Sequence, residues 1–137
     1  MQIKQVTEYG VAFDRLLSGA AAPPAEGARS DLQVDGTVTG PKLKGTVNGV
    51  DYVNVRADGR LQLYFHAEIT TEDGKKIAFY ADGVLTPKSG APIAQLRLNI
   101  TLTTSAAEYS LVNPTQVWAP GTVDFAKREV RFKAYAV

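Results

Sequence analysis

The single histidine of the chain, His66, lies in LQLYFHAEITTEDGKK, residues 61 to 76, two positions after Tyr64 and two before Glu68. On a strand, alternate side chains share one face, so a phenol, an imidazole and a carboxylic acid stand in a row. That trio can move protons. Asp58-Gly59 and Asp73-Gly74 bracket the segment, and Asp-Gly is favoured in two-residue hairpin turns. With Asp58 and Gly59 as the central turn residues, Val53 faces Tyr64 and Asp51 faces His66. The second turn places Glu68 opposite Phe79 and His66 opposite Ala81. A carboxylate facing an imidazole holds one ring N–H, fixes the tautomer and favours the protonated ring during turnover. The expected roles are therefore His66 as acid/base, Asp51 as its orienting partner, and Tyr64 and Glu68 as hydrogen-bonding or proton-donating groups. Val53 and Phe79 share that face as apolar substrate-binding wall, the composition of a small-molecule pocket. The competing reading of the row is a hydrogen-bonded, solvated sheet face.

Two further residues are substrate-binding candidates. Arg97, in AQLRLNITLTT, shares a strand face with Asn99 and could orient a carbonyl or carboxylate. Trp118 follows the turn signal Asn113-Pro114 and could line a cavity mouth, although large rings more often anchor cores. The remaining face of the histidine strand carries Leu61, Leu63, Phe65, Ala67 and Ile69. It is too apolar for water. Either a neighbouring subunit or the N-terminal segment covers it from outside, which makes a homo-oligomer the expectation, or it fills the interior and the polar row looks outward.

The elements that must hold these residues are strands. β-Branched and aromatic residues alternate with polar ones almost throughout, with expected strands at roughly 2–13, 31–39, 42–48, 51–57, 60–71, 75–86, 93–104, 115–125 and 129–137. Turns of helix fit only residues 13–17 and 105–113, and SGAAAPPAEGARS, 18–30, reads as a loop. DGTVTG and KGTVNG, nine residues apart, read as two arms of one hairpin. The expected architecture is all-β: a single domain over residues 1–137, an antiparallel barrel of about eight to nine strands, since closure removes exposed edges.

Composition trims the functions. The 137 residues, 45% hydrophobic, suffice for one core. Fifteen basic and 14 acidic residues are scattered, which leaves no footprint for nucleic acid or an anionic membrane. No residue run is apolar enough to span a bilayer and no secretory signal is visible, so a cytoplasmic protein is expected. The absence of cysteine removes disulfides and thiolate chemistry, and one histidine without cysteine cannot supply the usual zinc set. No metal and no cofactor are expected. G-x-S-x-G and phosphate-cradling glycine signatures are missing as well.

Several pieces together, Gly40-Pro41-x-Leu43-x-Gly45, Asp51 followed by an aromatic, Arg56-x-Asp58-Gly59, Thr71-x-Asp73-Gly74, Tyr109-x-Leu111-x-Asn113 and the closing Tyr135-x-Val137, resemble the bacterial family known as domain of unknown function 3237. The resemblance runs from about residue 30 onward. It implies a barrel related in fold to allene oxide cyclase and dirigent proteins, and it favours the polar row as the lumen. The chain departs from the family pattern at Tyr64 and His66, where Asp and Arg are usual, and at Tyr52, where Trp is usual.

The function expected from these residues is cofactor-free acid/base catalysis by an isomerase, cyclase, hydratase or lyase, on a small, mostly apolar organic molecule in the barrel cavity. The alternatives are a non-catalytic small-molecule-binding barrel and an oligomeric assembly protein without a pocket.

Overall fold

A computed structural model describes residues 7–18, 29–40 and 43–136. Eight strands run in chain order: β1 Thr7–Ser18, β2 Arg29–Thr39, β3 Gly45–Val55, β4 Leu61–Thr71, β5 Lys76–Pro87, β6 Ile93–Thr103, β7 Gln116–Asp124 and β8 Glu129–Ala136. Each pairs antiparallel with its sequence neighbour, and β1 pairs with β8, so the sheet closes into a barrel. A short 3-10 helix, η1, Ala107–Val112, lies between β6 and β7.

Alternation along the strands sorts the side chains. On β6 every second residue from Ala94 to Leu102 is buried and every residue between them is exposed. The same period places Val47 and Val53 of β3, Leu63, Phe65 and Ile69 of β4, and Ile77, Phe79 and Ala81 of β5 in one continuous core. An eight-stranded barrel has an interior about wide enough for such side chains to fill. One end is sealed by Leu43 and by Val112 of η1, both almost fully buried. Around that end Tyr109 donates to Asp73 (2.9 Å), Asp73 also takes the Thr71 hydroxyl, and Lys75 pairs with Glu108 at 3.4 Å.

Closure bends the strands hard, and glycine permits it. A Cβ on Gly49 would sit 2.2 Å from the His66 carbonyl oxygen and 2.5 Å from Ala67 Cα. No side chain fits there. For that reason the expected strands 42–48 and 51–57 are one strand: the glycine read as a break is an inner position of β3, where two backbones touch.

Several expectations change. Residues 13–17 continue β1 instead of forming a helical turn. The DGTVTG and KGTVNG segments do pair, Thr37 opposite Thr46. The expected loop at 18–30 lies largely outside the described residues, as does Pro41. Asp35-Gly36 and Asp82-Gly83 fall inside strands, as the expected strands 31–39 and 75–86 have it. Among the described residues no helix is long and apolar enough to cross a membrane.

The most consequential correction is one of register. Around the Asp58-Gly59 turn, Val53 faces Leu63, Tyr52 faces Tyr64, Asp51 faces Phe65 and Val50 faces His66. The Arg56 N–H donates to the Arg60 carbonyl at 2.8 Å, and the Gly59 N–H to that of Arg56 at 2.9 Å. The loop thus has three residues, Ala57 to Gly59, and only Gly59 takes positive φ, +85°. That is a type I turn with glycine at the left-handed position, where a two-residue turn would put both Asp and Gly there. Asp73-Gly74 repeats the pattern: the Gly74 N–H reaches the Thr71 carbonyl, and Glu68 faces Ala78, not Phe79. One extra residue in each turn reverses β4 against both neighbours.

Candidate functional site

With β4 reversed, the expected constellation divides. Asp51, Val53 and Phe79 occupy the inner face, as expected for the lumen; His66, Tyr64 and Glu68 look outward. The apolar face of Leu61, Leu63, Phe65, Ala67 and Ile69 fills the interior, so the covering subunit expected for it has no such face to cover. His66 is not brought to Asp51. Its ring packs at 5.7 Å against Tyr52 and 4.8 Å against Tyr80, both edge-on. Tyr64 accepts a hydrogen bond from the Gln62 amide at 2.7 Å, and Glu68 pairs with Lys76 at 3.1 Å in solvent. Arg97 and Trp118 also face outward, Arg97 donating to the Leu96 carbonyl (2.8 Å) and Trp118 packing on Tyr135. Thus five of the eight candidates stand on the outer surface.

Asp51 is the exception that matters. Among the described residues it is the one ionisable side chain on the inner faces of β2 to β8. Its cross-strand neighbours are Leu32 on β2 and Phe65 on β4. Phe65 in turn meets Phe79 edge-on, ring centres 5.2 Å apart. A carboxyl on such a wall loses hydration that is only partly replaced: Oδ1 is buried and has no hydrogen-bond partner among the described residues. Burial pushes the acid up from 3.8 to about 6, and the Tyr64 backbone N–H, which favours the anion, offsets part of that.

The wall around Asp51 is uneven. Val47, Val53, Leu63, Phe65 and Ile69 have almost no accessible surface, yet Gly49, Asp51 and Ala67 between them retain some. Gly49 and Ala67 face each other, two positions along from the Asp51–Phe65 pair. Towards the end of the barrel opposite η1, the inner residues Leu32, Leu61 and Val130 are only partly buried. The geometry is a carboxyl with one oxygen unpaired among the described residues, on an apolar and aromatic wall.

At about pH 6 such a group is half protonated, and at neutral pH it is a base that can return the proton it takes. Leu32 is a wall residue that the sequence reading does not name, and Phe65 is one under its alternative, in which the apolar face of β4 fills the interior. No three acidic or imidazole groups converge among the described residues in a way that could hold a metal ion.

Comparison with known proteins agrees with this architecture. The family model described as protein of unknown function DUF3237 matches residues 23–137. The chain belongs to the DUF3237 family. No curated protein matches the sequence. Solved structures share the DUF3237 chain's fold at low identity. A protein with unknown function from Clostridium acetobutylicum superposes with a TM-score of 0.80 at 19% identity, over 96% of this chain and 97% of that one. A beta-barrel like protein from Acinetobacter baumannii gives 0.78 at 20% identity, over 96% and 94%. A structure described as an enzyme from Penicillium herquei gives 0.62 at 19% identity, over 98% of both chains. At these identities the likeness is one of fold.

Proposed function

We propose that the protein is a cofactor-free enzyme of the isomerase, cyclase, hydratase or lyase kind, acting on a small, mostly apolar molecule inside an allene oxide cyclase-like barrel, with Asp51 as the group that takes and returns the proton. The observation that carries the reading is the inward carboxyl with a buried oxygen that has no hydrogen-bond partner among the described residues. Buried polar atoms are nearly always hydrogen-bonded, and an orphan on an inner wall calls for a partner that arrives from outside. A substrate hydroxyl, or the hydrogen of an activated C–H, meets that need. Leu32, Phe65 and Phe79 contribute the apolar contact that holds a lipophilic molecule.

Proton transfer of this kind needs a dry wall and a group whose proton affinity lies near the working pH. An aspartate titrating near 6 is closer to that than an ordinary one. The description of the Penicillium herquei relative in fold as an enzyme lends general support, and the lack of cysteine suits a reducing cytoplasm. His66 has no part in this proposal, because its ring is on the other side of the sheet.

Deuterium uptake tests the proposal whatever the net reaction. The protein is incubated in D2O with a panel of lipophilic ketones and enones, and solvent deuterium in the recovered compounds is followed by NMR. The wild type should label or convert at least one of them. Asp51→Asn should slow that by at least about 100-fold, and His66→Ala should leave it within about threefold. Equal loss in both variants, or full activity in Asp51→Asn, would refute the assignment.

A further inference from the structure

The sequence scatters its charges, and the fold sorts them. Neighbouring strands run antiparallel all round the barrel, so the β3–β4, β5–β6 and β7–β8 loops share the end opposite η1. In these loops, residues 56–60, 88–92 and 125–128, stand Arg56, Arg60, Lys88, Lys127 and Arg128, all exposed. The one acid among them is Asp58, which lies 3.7 Å from the Arg60 guanidinium. Two acids at the adjoining strand ends are engaged locally: Asp124 Oδ1 accepts the Ala126 and Lys127 N–H groups at 3.0 and 3.1 Å, and Glu129 pairs with Arg131 at 3.5 Å. The η1 end has no such bias. Among the described residues of its loops, Glu72, Asp73 and Glu108 stand against Lys44 and Lys75.

The basic end also holds apolar side chains in water. Phe125 and Ile93 are 47% and 46% exposed. They come from adjacent loops that are tied together, since the Phe125 N–H donates to the Pro92 carbonyl at 2.8 Å and Ile93 stands opposite Asp124. At the same end the inner residues Leu32, Leu61 and Val130 are only partly buried. A single exposed apolar residue needs no explanation, but two joined at one end among cations do.

From this combination we infer that the end of the barrel opposite η1 docks on an anionic lipid bilayer, with Phe125 and Ile93 entering the boundary between headgroups and acyl chains and the five basic residues attracted to acidic headgroups. Interfacial binding adds apolar insertion to attraction for anionic lipid, and this end supplies both. A nucleic-acid duplex fits less well, since it would use the cations and leave the two apolar side chains in water. A second copy of the chain fits less well too: a two-fold contact sets the same patch against itself, cation against cation. A mostly apolar molecule dissolved in the bilayer would pass from there to the inner wall without crossing water. Docking stands whether or not Asp51 has the role given above.

Co-sedimentation with vesicles tests docking apart from catalysis. The wild type should pellet with phosphatidylcholine vesicles that contain about 30% phosphatidylglycerol and bind pure phosphatidylcholine at least about tenfold more weakly, a difference that about 0.5 M salt should largely remove. Phe125→Ala should weaken binding to the anionic vesicles at least about threefold, and Lys88→Gln combined with Lys127→Gln at least about tenfold, with unchanged circular dichroism. Lys44→Gln and Leu111→Ala, both at the η1 end, should leave it within about twofold, since charges far from the contact are screened. Asp51→Asn should bind as the wild type does, so a failed proton-transfer assay and a failed docking assay are told apart. No binding to the anionic vesicles at low salt, equal binding to both kinds of vesicle, or an equal loss in Lys44→Gln would overturn the inference. So would a DNA duplex that displaces the vesicles and binds wild type and Phe125→Ala alike, or an oligomer that Phe125→Ala dissociates.

Discussion

Replacing Asp51 by Asn should make the protein more stable above pH 6 and leave it unchanged near pH 4. The reasoning starts from the burial of the carboxyl, which moves its titration from 3.8 to about 6. Below about pH 4 the acid holds its proton in both the folded and the unfolded chain. Between about 4 and 6 the folded chain keeps the proton and the unfolded chain has lost it, so unfolding releases a proton and stability falls as the pH rises. Above about 6 the penalty is complete, roughly 3 kcal/mol for a difference of this size. Asparagine has the same shape and no charge to desolvate, so the variant escapes the penalty. Urea unfolding of both proteins at a series of pH values from 4 to 8 gives the answer. The gap between them should open from near zero to about 2–3 kcal/mol, or roughly 10 °C in Tm. Other carboxylates, such as Asp73, which the Thr71 and Tyr109 hydroxyls hold below its ordinary value, contribute equally to both proteins and cancel. Parallel curves, or a variant less stable at pH 8, would show that the carboxyl is solvated or paired and would remove the basis for its chemistry. A gain in stability accompanied by loss of function is the pattern expected where a fold carries an unfavourable group for its use.

Other substitutions test the frame that holds the acid. Phe65→Ala should cost about 3–5 kcal/mol and the adjacent His66→Ala less than about 1, measured by the same unfolding; the reverse order would mean that β4 faces the other way. Gly49→Ala should destabilise by about 2–4 kcal/mol, because its Cβ would meet backbone on β4. Gly59→Ala has open space around it and should cost only about 1–2 kcal/mol for the left-handed conformation. Glu68→Gln breaks an ion pair with Lys76 that is more than half exposed on both sides, so thermal unfolding should shift by less than the equivalent of about 0.5 kcal/mol.

The barrel is legible in the sequence because its signal is redundant. Eight stretches of alternating residues, each bounded by turn chemistry, point to the same class of fold, and an error in one boundary leaves the others standing. The strand limits of β4 to β8 are legible to within a residue or two. The site is less legible for a local reason. Asp-Gly suits both a two-residue turn, with positive φ at Asp and Gly, and a three-residue turn, with positive φ at Gly alone. The pair carries no mark of which it is. Choosing the shorter turn twice moves His66, Tyr64 and Glu68 inside and Leu63, Phe65 and Ile69 outside. The hydrophobic pattern of β4 argues the other way, since three large apolar side chains outweigh one imidazole in deciding which face is buried. Asp51 stands out in the sequence for a partner it does not have, and its own strand places it correctly. Gly49 is easily misread because a close approach of two backbones leaves the same glycine in the sequence as a turn.

The central claim is that Asp51 lies on the inner wall with its carboxyl held out of water, and carbon-detected NMR titration of the side-chain carboxyls tests it most directly. The account predicts one aspartate resonance with a midpoint near 6, absent from Asp51→Asn and unmoved by His66→Ala. An Asp51 carboxyl titrating near 4, like a solvated aspartate, would contradict it.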